Sequence, residues 1–215
     1  MKYQVLSRQD ILKMVKEQAA TLDSQIAYNK SFVYSFKNGK KAVVSLFDGE
    51  GVLFNDISKL NEMIEARYFP VKEKDCVFVT ERKKILKIDE NIDFFLSSLG
   101  KRIGMEINID TSANYLDSVA KRINSVKEKE LSETDNKFSL EIIIFIGEIV
   151  RKMDNSAKWS LSTIYLMNPY YIPTIKGDNG LGMKFNDIIN DNLEKGNFDI
   201  RKCIERIFSY KFTRR

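Results

Sequence analysis

The stretch from Phe138 to Met153, FSLEIIIFIGEIVRKM, is apolar almost all the way round a helix, and such a helix has to be enclosed by other elements. It carries Glu141 and Glu148 and falls short of the roughly 20 residues that span a bilayer, so it reads as a core helix. A chain of 215 residues can supply that enclosure. Length alone leaves one large domain or two modest ones open.

The residues around this helix set the expected fold class. Ser7 with Asp10 resembles a capping box, and Ile11, Val15, Ala19 and Leu22 recur at helical spacing, which predicts a helix over 8–24. Residues 31–36 and 42–47 read as strands joined by the Asn38-Gly39 turn, with a third strand at 52–54, so an antiparallel meander is expected. A helix over 57–66 stops before Pro70. Residues 76–80 and 85–88 are read as strands, 91–99 as a helix, 105–109 as a short strand, and Ser112 as the cap of a helix carrying Leu116, Val119, Ile123 and Val126 on one side. Residues 127–137 read as a connection, 159–167 as a strand interrupted afterwards by Pro169 and Pro173, and 185–195 and 200–208 as the last helices. The expectation is an α+β fold: an N-terminal helix and antiparallel β-meander followed by a helix-rich lobe with a few short strands. The lobes are placed at 1–89 and 90–215, either separate or joined in one compact domain.

Composition narrows the chemistry. There is no histidine, so Ser-His-Asp triads, Cys-His pairs and His-based zinc sites are excluded. Cys76 and Cys203 lie far apart in apolar surroundings, which reads as two buried thiols in a reducing compartment and no disulfide framework. The N-terminal residues interleave charges with apolar groups, unlike a signal peptide, so a cytoplasmic location is expected. The net charge of +5 comes from 35 basic and 30 acidic residues spread along the chain. It reads as a lysine-rich exterior and would favour an acidic partner over a basic one.

Each motif that could carry chemistry also has a plain structural role. Residues 177–182 have phosphate-loop glycine spacing, but Met183 stands where the lysine belongs, and Met183 to Phe185 also break any calcium-loop pattern. No cofactor and no metal site are expected. Glu141 and Glu148 lie two turns apart on one helix face, a spacing that suits acid–base work, yet Glu148 has Arg151 and Lys152 at pairing distance and Glu141 sits near the helix start. Arg201, Lys202, Arg206, Lys211, Arg214 and Arg215, interleaved with Tyr210 and Phe212, form the candidate nucleic-acid contact set; a solvated tail is the plainer reading.

The run Phe145-Ile146-Gly147-Glu148-Ile149-Val150, then Trp159 and a strand with Pro169 and Pro173, preceded by Ile109-Asp110-Thr111-Ser112 with Leu116 and Asp117, resembles a bacterial family similar to polymorphic-toxin immunity proteins. The resemblance covers residues 107–195, with Asp154 to Lys158 in place of the family's glycine-rich link. It implies a cytoplasmic protein-binding protein without catalytic activity, working as an immunity-type inhibitor. Gly147 in an apolar helix costs about 1 kcal/mol relative to Ala, which predicts a close contact there. Trp159 would fill the adjoining core, with Glu148 as the candidate acceptor for its indole N–H. Gly147, Glu148 and Trp159 are thus the expected structural motif. Two other readings stand beside it: an enzyme using carboxylates, Lys or Cys, and a weak nucleic-acid binder acting through the basic tail.

Overall fold

The computed structural model describes residues 2–45, 48–73, 75–131, 137–177 and 180–210. The fold is α+β, and the chain divides into two units. One comprises residues 1–74 with 163–170, the other residues 75–162 with 171–215. The division falls at 74/75 and not near residue 90, and the first unit takes back a segment from late in the chain.

The first unit is built on a five-stranded antiparallel sheet. Strand β1 (Tyr3–Ser7) leads into helix α1 (Arg8–Glu17), followed by β2 (Thr21–Leu22), β3 (Phe32–Ser35), β4 (Lys41–Val44), β5 (Glu50–Phe54) and helix α2 (Ile57–Ala66). The spatial order is β1-β5-β4-β3-β2, so the expected meander is present and gains β1 beside β5, with Tyr3 opposite Phe54. The Ser7 hydroxyl accepts from the Asp10 N–H at 3.1 Å and donates to the Asp10 carboxylate at 2.6 Å, which starts α1 where the capping box predicts. The helix ends earlier than expected, because Ala19 takes a left-handed φ of 48° and its neighbour Ala20 bonds back to Val15.

Alternation along the strands divides their side chains between two apolar layers. Ala42, Val44 and Leu53 pack with Ile11 of α1, while Val43, Val52 and Phe54 pack with Leu60 and Met63 of α2. Both faces are therefore covered, and the central strands read as continuous apolar runs. Gly39, at φ 82°, makes the tight turn between β3 and β4. Residues 163–170 close the α2 side: Asn168 accepts from the Phe69 N–H at 2.6 Å and donates to the Phe69 carbonyl at 2.7 Å, and the Tyr28 hydroxyl donates to the Met167 carbonyl at 2.8 Å.

The second unit is helix-rich. It contains α3 (Val77–Thr80), α4 (Arg82–Leu86), α5 (Ile88–Ile103), α6 (Ala113–Leu131) and α7 (Lys137–Met153), then the paired strands β6 (Lys158–Ile164) and β7 (Tyr170–Lys176), of which 163–164 and 170 count with the first unit, and finally α8 (Met183–Leu193) and α9 (Ile200–Ser209). Helix α7 is the centre, with Leu140, Ile142 to Ile146, Ile149 and Val150 all buried. The all-round apolar pattern thus marks the most enclosed helix of the unit.

Four local expectations fail here. Neither 76–80 nor 85–88 is a strand: Val77–Thr80 form α3, Ile85 and Leu86 end α4, and Ile88 opens α5, with Val77, Ile85 and Ile88 brought from three closely spaced helices into one core with Phe95, Leu140 and Ile144. Residues 105–109 form no strand; Met105 and Ile107 pack on the core from an irregular segment. Residues 127–131 continue α6, and 132–136 lie outside the described residues. Pro173 sits inside β7 and does not interrupt it, as a two-stranded sheet has only edge strands and these tolerate a missing donor. No helix among the described residues is long and apolar enough to cross a membrane.

Candidate functional site

Helix α7 presents its two glutamates to different surroundings. Glu141 is fully buried, accepting from the Ser98 hydroxyl at 2.5 Å and from Arg102 Nε at 3.0 Å. Ser98 and Arg102 are one turn apart on α5, so a single face of that helix supplies both donors. Burial pushes the Glu141 carboxyl above the usual range, opposed by the Ser98 bond and the Arg102 charge. The Arg102 guanidinium also lies over the Phe138 ring, 5.7 Å from its centroid. The expected helix-start role of Glu141 is thus replaced by a bridge from α7 to α5.

Glu148 gathers a different set. Its Oε1 accepts from Trp159 Nε1 at 2.7 Å and from Arg151 Nη1 at 2.7 Å, and Arg151 reaches Asp89 at 3.3 Å. The Trp159 six-membered ring lies directly over Gly147, where a methyl group would collide with it. The Trp159 ring system also meets Phe185 edge-on, with centroids 6.4 Å apart and planes at 83°. Gly147, Glu148 and Trp159 therefore form one contact group, with the glycine giving the indole its space and the carboxylate holding its N–H.

Three of the cavities among the described residues border the second unit. One of about 470 Å³ is bordered by Ile109, Glu148, Arg151, Lys152 and Lys158, and one of about 390 Å³ by Ile88, Asp89, Trp159 and Leu161. A third, of about 540 Å³, runs along α5 past Asp93, Ser97, Lys101 and Glu106. Glu148 borders the first of these with both its partners in place. Among the described residues no group of three or more Cys, Asp or Glu is arranged to hold a metal ion.

The remaining candidates separate. Both cysteines are buried and free, and burial pushes the Cys203 thiol up to about 12, which keeps it protonated. Of the basic set, Arg201 faces Asp117 at 3.6 Å, Lys202 faces Asp199 at 3.4 Å and Arg206 faces Asp191 at 3.2 Å. Lys211, Arg214 and Arg215 lie outside the described residues. Sequence reasoning missed Ser98 and Arg102, although their spacing on one helix face was a usable signal. It also missed Asn168 and Tyr28, whose partners lie about a hundred residues away and leave no local trace.

No protein-family model matches the chain, and no curated protein sequence matches it. Among solved structures the chain is similar to the 1.50 Å crystal structure of a protein from Bacteroides thetaiotaomicron VPI-5482, at 12% identity over 96% of this chain and 83% of that one, with a TM-score of 0.41. A likeness of that order carries no argument about function.

Proposed function

We propose that this chain is a cytoplasmic protein-binding protein of the kind toxin-immunity proteins exemplify, acting by covering a partner's surface. The observation that carries this reading is how the two α7 glutamates are spent. Glu141 is sealed from solvent beneath Ser98 and Arg102, and Glu148 is shared between Trp159 and Arg151. A general acid or base has to reach a substrate proton; Glu141 is sealed away, and Glu148, although it borders a cavity, already accepts from Trp159 and Arg151. Two free, buried thiols accord with a reducing compartment.

The net charge of +5 favours a partner with an acidic contact face. A nuclease that grips phosphate with its own basic surface is a poor fit, because like charges would repel. The test is capture with the tagged full chain from its native host, joined to a growth assay of the captured protein expressed alone and with this chain. A stoichiometric partner whose toxicity this chain relieves is the expected result. Absence of any stoichiometric partner, or turnover of a metabolite that is lost on Glu148→Gln while the fold is retained, would replace this reading with the enzyme one.

A further inference from the structure

In the first unit, three separate stretches meet at one place. The Tyr28 ring lies against Phe69 with centroids 5.0 Å apart, its hydroxyl donates to Met167, and Asn168 clamps both backbone groups of Phe69. Residues 26–31, 67–69 and 163–170 are thereby tied together. The cations of these stretches are Lys30 and Arg67; the carboxylates bonded to the stretches are Asp23, which accepts from the Ile26 N–H at 3.3 Å and is paired with Lys41, and Asp48, which accepts from the Met167 N–H at 2.9 Å.

The backbone there is held in costly conformations. Of the four non-glycine residues with positive φ among the described residues, three are Asn29 at 40°, Lys30 at 55° and Arg67 at 51°. The Tyr28–Ser31 turn, closed by a 2.6 Å bond from the Ser31 N–H to the Tyr28 carbonyl, thus has two consecutive left-handed residues where glycine would be the relaxed choice. The buried Asn29 Nδ2 and Ser31 Oγ atoms have no hydrogen-bond partner. Strain of this kind concentrates at functional surfaces. Its outcome here is a definite placement: the Lys30 ammonium stands 4.8 Å from the centre of the Tyr165 ring, and Tyr165 and Tyr68 remain 41% and 54% exposed beside buried Phe69 and Met167.

We propose that Lys30, Arg67, Tyr68 and Tyr165 form a docking surface for an acidic protein segment. Its carboxylates would face Lys30 and Arg67, and its apolar side chains would lie on the two tyrosine rings. This deepens the protein-binding reading and rests on it. Tyrosine and arginine are the residue types that carry binding energy at protein interfaces, and the backbone beside Tyr68, held at Phe69 by Asn168, has little freedom to lose on binding. Two cations on a rigid aromatic surface suit a protein segment better than a nucleic-acid strand, which calls for a groove of cations that tracks its backbone.

The test is selection of a random dodecapeptide phage library on the full chain, followed by fluorescence anisotropy with the selected peptides. Peptides rich in Asp and Glu with interspersed apolar residues are expected. Tyr68→Ala and Lys30→Gly should each weaken them by about tenfold or more, the range of an interface hot spot. Lys30→Gly removes the cation while relaxing a left-handed position, so its melting temperature should equal or exceed the parent's, and its loss of binding is then no sign of unfolding. Basic or neutral peptides, or no selected peptide at all, would overturn the proposal. Peptides that bind both variants unchanged would remove this surface while leaving a protein-binding function standing. An oligothymidylate that binds the parent and not the two variants would assign the surface to nucleic acid instead.

Discussion

At the scale of single residues, two buried or part-buried carboxylates set opposite pH dependences. Asp23 is held down to about 2, first by the Lys41 hydrogen bond, then by the Gln25 N–H and the Ser35 hydroxyl. Its contribution is full above the unfolded value of 3.8 and is lost as pH falls toward 2. Glu141 runs the other way. Its folded value is raised by burial, so its contribution is full below the ordinary 4.5 and declines as pH rises through the higher folded value. Urea midpoints against pH should therefore show less loss between pH 3.8 and about 2 in Asp23→Asn than in the parent. The decline above pH 4.5 should be absent from Glu141→Gln. Curves that superimpose on the parent's would refute the corresponding assignment. Gly147 poses a contest of magnitudes. Alanine there gains about 1 kcal/mol of helix propensity but meets the Trp159 ring, and overpacking of a core costs about 1–3 kcal/mol. Because Trp159 is held by Glu148 and Phe185 and cannot retreat, a net loss of about 1–2 kcal/mol is expected for Gly147→Ala. In a Trp159→Ala background the same change should become stabilising by about 1 kcal/mol. Denaturant titration of the four-member cycle measures both signs.

Among elements, the informative comparison is between helices that read correctly and those that did not. Helix α2 ends where Ile57 to Ala66 predicts, and α7 spans almost the expected residues, since each carries its own cap or its own apolar pattern. Residues 76–80 and 85–88 read as two strands on either side of a charged run, yet only the three-dimensional core brings Val77, Ile85 and Ile88 together from three helices. The loop that carries Asn168 depends on a distant element in the same manner. Asn168→Ala should destabilise the first unit by about 2–4 kcal/mol, because it removes two buried hydrogen bonds and leaves the Phe69 N–H and carbonyl unpaired. Near-ultraviolet circular dichroism and a denaturant curve would show it, and a loss well under 1 kcal/mol would mean that water replaces the clamp at little cost.

For the whole molecule, the first unit is discontinuous in sequence, so a cut at its apparent boundary removes part of it. A fragment of residues 1–74 keeps every strand of the five-stranded sheet but lacks Met167, which is fully buried in the α2-side core, and the Asn168 clamp. That fragment is expected to be measurably less stable than the same unit in the full chain, and adding the 163–170 peptide in trans should restore part of the difference. Equal stability of the fragment and the intact unit, read by hydrogen exchange at Val43 and Val52, would show that the late segment contributes nothing.

What the chain's order of residues determined alone was whatever is decided within a few turns: the capping box at Ser7, the Asn38-Gly39 hairpin, the apolar core helix, the pairing of Glu148 with Arg151, and the demand at Gly147 for a close neighbour. Tertiary structure alone decided that Glu141 bridges to α5, that residues 163–170 belong with the first unit, and that Lys30 stands over the Tyr165 ring. The physical reason is range. Caps, turns and helix faces are read by neighbours along the chain, whereas burial and convergence depend on partners that only the folded core brings together.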